Sequence, residues 1–224
     1  MSQTSDPDPE PRLYSLTRQA SPIIAHVVCV AFTVFMAFLS RPGTSWFSWH
    51  PLLMTLAFSL FMTEAVLLFS PRGSLFHSST HKTKGRVHWL LQVVCVSCAV
   101  LGLTAIYYNK HLTGKPHFTS GHGRLGLFTV LAVLLQSLAA MPLIYTSLAK
   151  GWSLARLKRY HTASGLVSYL LGCVSLLLGL CSAWFTASVN SITWYLAALC
   201  PVLSAFAIMS QVTRAYVAKK RFQS

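Results

Sequence analysis

The sequence predicts an all-α integral membrane protein of six transmembrane helices, with helices 2 to 5 forming a four-helix core. Two observations predict this. Of the 224 residues, 54% are hydrophobic and only 10% charged, far below the roughly 25% charged residues of a soluble domain. The hydrophobic residues also gather into six runs, at about 23–39, 51–69, 88–108, 125–145, 161–185 and 193–213, most of them near the ~20 residues that a spanning helix needs. The net charge of +14 would point to nucleic acid in a soluble protein. Here the cations lie between apolar runs, so the partner they imply is membrane lipid, with no nucleic acid.

In chain order, residues 1–22 hold Pro7, Pro9, Pro11, Asp6, Asp8 and Glu10, the composition of a disordered cytoplasmic tail, and no cleavable signal peptide opens the chain. Residues 23–214 form the six-helix domain, and 215–224 form a basic cytoplasmic tail. The first run carries His26. The second begins beside His50 and Pro51 and carries Glu64, the one acid inside a run. Glu64 lies fourteen residues past His50, hence ~21 Å along a helix, and reads either as a propionate-side or proton-handling group or as a snorkelling or histidine-paired structural residue. The third run opens at His88 and contains Cys95 and Cys98, whose spacing inside a span reads as packing. The fourth follows His122. The fifth opens at His161 and repeats glycine at 165, 172 and 179, a small-residue face suited to close helix packing or to a bulky planar cofactor.

Orientation follows from the cations, which accumulate in short cytoplasmic loops. An even helix count puts both termini on one side, and that side holds 14 of the 18 Lys and Arg residues; the other four are Arg41, Lys110, Lys115 and Arg124. Both termini are therefore expected in the cytoplasm.

Nine histidines are many for so apolar a chain, because ionisable groups at membrane depth are costly and usually face an interior site. His77, His81, His111 and His117 fall in loops, whereas His50, His88, His122 and His161 stand where helices 2, 3, 4 and 5 begin. Successive spans alternate in direction, so His50 can face His122 near the non-cytoplasmic side and His88 can face His161 near the cytoplasmic side. The spacing agrees: 72 residues separate the first pair and 73 the second. This is a two-helix unit repeated in the same orientation, which brings equivalent residues together across an axis along the membrane normal. Two imidazoles facing each other can fill both axial positions of a haem iron and suit it to one-electron transfer, giving a four-helix di-haem core. His26, outside the repeat, is a rival to His88 or His161. Histidine pairs also bind zinc or ferrous iron, though such sites usually need three or four ligands. A histidine-based metal or solute transporter without haem redox chemistry is thus the alternative.

The runs Phe47-Ser48-Trp49-His50-Pro51, Lys84-Gly85-Arg86-Val87-His88-Trp89, Gly121-His122-Gly123 and Arg159-Tyr160-His161-Thr162-Ala163-Ser164-Gly165 resemble the cytochrome b561 family of transmembrane haem proteins. The resemblance implies two b haems per chain, His50 and His122 ligating the non-cytoplasmic one and His88 and His161 the cytoplasmic one. It further implies a transmembrane reductase that takes electrons from cytosolic ascorbate and reduces ferric iron or monodehydroascorbate on the other side. A homodimer and an endoplasmic reticulum or cytoplasmic vesicle membrane are implied with it. Ascorbate is an anion, so its site should present cations; Lys82 and Arg86, just before His88, are the expected substrate-binding residues. Arg124, Lys115 and His117 are the cations and imidazole near the opposite mouth.

Overall fold

The computed structural model describes residues 12–71 and 73–221, with side chains described from residue 20 to residue 216. Most of the proline-rich segment, Arg72 and the last three residues lie outside the described residues. All regular structure among them is helical. Six long helices are long and apolar enough to cross a membrane: α1 (Arg12–Ser40), α2 (Trp46–Leu67), α3 (His81–Leu112), α4 (Gly121–Ala139, extended by the turn Met141–Ile144), α5 (Leu154–Leu180) and α6 (Ser191–Arg221).

Each core helix starts at a hydroxyl cap, whose oxygen accepts one of the N–H groups that a first helical turn leaves without a partner. Ser45 and Ser48 form a reciprocal capping box for α2, Thr80 caps α3, Ser120 caps α4 and Ser153 caps α5. These caps explain where the helices depart from the apolar runs. Hydropathy marks where a chain meets the bilayer, whereas a cap marks where the helix begins. Lys82, Lys84 and Arg86 therefore sit on the first turns of α3, and Arg156, Lys158 and Arg159 on those of α5, rather than in loops. His88 and His161 are each the eighth residue of their helix instead of opening it. His81 and His111 also belong to α3. Likewise α1 begins at Arg12, inside the stretch whose composition suggests a tail, and α6 runs on to Arg221.

Helix α2 packs on α3, α3 on α4 and α4 on α5, and α5 returns to the middle of α2, closing a four-helix bundle. Helices α1 and α6 pack on each other and flank it, α1 against α2 and α6 against α5. The bundle core is Ala57, Phe58, Met62, Cys95, Ala99, Val130, Val133, Tyr169 and Cys173. A second cluster, around Phe32, Met36, Leu180, Phe185 and Ala197, binds α1 and α6 to the end of α5. Inside the bundle, polar groups pair with each other, as membrane depth demands: Thr63 and Tyr169 share a hydrogen bond of 2.9 Å. All six cysteines are free, and Cys95 donates to the Ala57 carbonyl at 3.2 Å.

That carbonyl belongs to a π-helical turn, Leu56–Phe61, in the middle of α2. Such bulges insert a residue and often accompany function. The turn seats Phe58 against α5 at Gly172, where an added Cβ would lie 2.8 Å from Phe58 Cδ1. The central glycine of the seven-residue repeat thus receives an aromatic ring midway along the bundle. Gly172→Ala should destabilise the protein by about 1–3 kcal/mol through overpacking, read as a lower thermal unfolding midpoint in detergent. Phe58→Leu in the same chain should recover much of the loss, since the two sites share one contact.

Candidate functional site

Two pairs of imidazoles lie inside the bundle, one toward each end. At one end, His50 from α2 and His122 from α4 have ring centroids 6.0 Å apart with planes at 78°. At the other, His88 from α3 and His161 from α5 stand 6.1 Å apart at 82°. The antiparallel course of the spans brings together the residues that the spacing pairs.

Each ring is held through Nδ1. His50 donates to the Gly102 carbonyl at 2.9 Å, His88 to that of Ala65 at 2.9 Å and His122 to that of Ser175 at 3.0 Å. A free carbonyl at Ala65 has a local cause. The last turn of α2 tightens, so that the Phe69 N–H bonds to Val66 instead of reaching back to Ala65. Close approach at His122 depends on Gly179, where an added Cβ would sit 3.1 Å from the ring Cε1. The fourth ring differs. His161 Nδ1 lies 3.0 Å from the side-chain amide of Gln136 on α4, which also donates to the His161 carbonyl at 2.7 Å. Among the described residues, Nε2 of these four rings makes no hydrogen bond.

A cavity of about 240 Å³ adjoins the His50–His122 pair, walled mainly by apolar side chains, among them Phe58 and Phe185. Lys110 and His117 stand at its rim. The loop after α3 places them there: Gly114, at φ +63°, lets the chain reverse, and the Lys115 N–H bonds back to Lys110. Lys110 then donates to the Pro116 carbonyl at 2.9 Å, and His117 stacks on Tyr107 at 4.2 Å. Arg124 and Lys115 point to the exterior, with Arg124 donating to its own loop at Thr119.

At the His88 end the structure adds a third cation, Lys84, to the expected Lys82 and Arg86. Lys82 and Arg86 are exposed, whereas Lys84 is buried. Lys84 is four residues before His88, so the two share one face of α3, and Lys82 and Arg86 fall on another. The i to i+4 relation was the signal in the sequence. His26 also leaves the set of rivals. Both its ring nitrogens are engaged, Nδ1 with Glu64 at 2.7 Å and Nε2 with the Gly73 carbonyl at 2.7 Å. Glu64 is thus a histidine-paired residue, and Cys29 donates to the same carboxylate oxygen at 3.3 Å. Gly73 comes this close because it has no side chain; a Cβ there would collide with Pro22 of α1. Among the described residues, no group of three or more His, Cys, Asp or Glu converges as a bare-metal site would require.

Six spans and two pairs of facing imidazoles inside their bundle define a multi-pass membrane protein of a particular class. The chain belongs to the eukaryotic cytochrome b561 family, a haem b family, whose profile matches residues 49–186. It is 52% identical to the Homo sapiens transmembrane reductase CYB561D2, over 96% of both chains. It is 44% identical to the Homo sapiens probable transmembrane reductase CYB561D1, over 97% of this chain and 95% of that one. A more distant relative is the Mus musculus lysosomal membrane ascorbate-dependent ferrireductase CYB561A3, 24% identical over 68% of this chain and 65% of its own.

Removing one member of this half-buried pair leaves the other without its hydrogen-bond partner. His26→Ala should therefore lower stability by about 1–3 kcal/mol, and the double variant with Glu64→Ala should lose less than the sum of the two single changes. Thermal unfolding of the four proteins in detergent checks both statements.

Proposed function

We propose that the protein carries single electrons across a membrane from cytosolic ascorbate to an acceptor on the other side, ferric iron or monodehydroascorbate. His50 and His122 would hold one b haem and His88 and His161 a second, nearer the cytoplasm. The observation that carries this reading is the spacing of the rings. Facing rings with centroids 6.0 and 6.1 Å apart would leave room between them for one metal ion taking a nitrogen from each at about 2 Å. The free Nε2 atoms and the apolar cavity beside His50 suit the same group. Bound there, haem b would supply one-electron redox chemistry.

The chain's own residues hold, orient and exclude. Nδ1–H bonds to main-chain carbonyls fix the tautomer that leaves Nε2 to the metal and raise the basicity of the imidazole. Burial among apolar side chains keeps water away. Lys84, on the His88 face of α3, meets the negative charge of a propionate or of ascorbate; Lys82 and Arg86 act at longer range, drawing the anion to the mouth. Lys110 and His117 do the same at the opposite rim. The relatives named ascorbate-dependent ferrireductases support the donor and the ferric acceptor. The distribution of Lys and Arg supports cytoplasmic termini. A homodimer in an endoplasmic reticulum or vesicle membrane completes the reading.

The test is the visible spectrum of purified protein, with haem quantified against protein, before and after ascorbate. Two haems per chain reduced by ascorbate are expected; folded protein without a Soret band overturns the assignment. His88→Ala and His161→Ala should each remove about half the haem, while His77→Ala removes none. Lys84→Ala should raise the ascorbate concentration needed for half-maximal reduction more than Lys82→Ala does, and equal effects would reject Lys84 as the inward cation.

A further inference from the structure

Three of the four paired histidines lean on main-chain carbonyls, which any sequence would provide. His161 leans on a side chain, and that difference sits at one end of the bundle only. Gln136 reaches across from α4 with its amide 3.0 Å from His161 Nδ1. The far side of the amide is also tied: Ser164 donates to Gln136 Oε1 at 2.7 Å and lies 2.7 Å from the Tyr160 carbonyl. Room for the amide comes from Gly165, where an added Cβ would lie 3.1 Å from Gln136 Nε2. The first glycine of the repeat in α5 thus makes space for Gln136, as the last makes space for His122.

An imidazole that gives Nε2 to a metal carries its proton on Nδ1 and needs an acceptor there. An amide has one acceptor end and one donor end, and a half-turn about its last bond exchanges them. Turned so, the amide gives up its bond to the His161 carbonyl and must draw back from it; Gln136 Oε1 then accepts from His161 Nδ1–H and its NH₂ meets Ser164 Oγ, whose own proton goes to the Tyr160 carbonyl. Both ends of the amide then still have partners.

We propose that Gln136 is the positioning residue for His161, setting that ring's orientation and electron donation and thereby the reduction potential of the haem at that end, independently of the other. This rests on the di-haem reading above. The stronger the acceptor at Nδ1, the more basic the ligand and the more the oxidised metal is favoured. An apolar replacement and a carboxylate replacement must therefore move the potential in opposite directions.

The experiment is a spectroscopic redox titration of Gln136→Met, Gln136→Glu and the unaltered protein, with the low-spin electron paramagnetic resonance signals recorded alongside. The haem that moves is identified as the one lost in His161→Ala. Gln136→Met should raise the midpoint potential of that haem and Gln136→Glu should lower it, each with a changed resonance signal, while the second haem keeps both its potential and its signal. Shifts of the same sign, or shifts shared by both haems, would mean that Gln136 only packs, and overturn the proposal. If the carboxylate variant does not accumulate, Gln136→Met decides alone: a raised potential supports the role and an unchanged one ends it. Unaltered protein without haem would sink the di-haem reading itself, whereas two haems indifferent to residue 136 would sink only this inference.

Discussion

An imidazole inside a membrane protein must have its Nδ1 proton accepted by the protein, because no water is there to do it. The rest of the bundle is arranged around that requirement. The acceptor for each of His50, His88 and His122 lies on a neighbouring helix, so each bond both orients a ring and joins two spans. Small residues make the approach possible at Gly179 and Gly165, and a tightened helix end frees the carbonyl at Ala65. In the middle, a π-helical turn sets Phe58 into Gly172. Helix α5 is thus a spine whose three repeated glycines face three different demands.

The two ends of the bundle are not equivalent. At the His88 end, the core helices α3 and α5 begin two turns before their histidines and carry lysine and arginine there. At the His50 end, the histidines lie near the caps and the rim is a loop with Lys110 and His117. The His88 end also has the polar brace of His26, Glu64 and Cys29, which ties α1 to α2 and to the Gly73 carbonyl. The carboxylate of Glu64 is adjacent in sequence to Ala65, whose carbonyl receives His88. The flanking helix α1 is therefore mechanically connected to the inner pair through one peptide unit. The cation-bearing helix starts and the distinct histidine partner coincide at one end of the bundle, the end proposed above for the donor.

The sequence by itself determined the all-helical, six-span architecture, since runs of about 20 apolar residues leave a chain few other solutions in lipid. It also determined which histidines meet, because antiparallel spans of matched length and a repeat of 72–73 residues put equivalent positions at equal depth. Only the tertiary structure decided what holds them. Main-chain carbonyls carry no residue signature, so Gly102, Ala65 and Ser175 could not be read as partners, and Gln136 is one polar residue in a span until α5 is packed beside it. The inward turn of Lys84 was in principle readable from its four-residue offset to His88, yet proximity in sequence pointed equally to Lys82 and Arg86. The pairing of His26 with Glu64 was one of two open readings, and it took the contact of α1 with α2 to close it. Patterns along one helix are local and survive in sequence; contacts between helices depend on rotation and close approach, which the sequence specifies only through the folded whole.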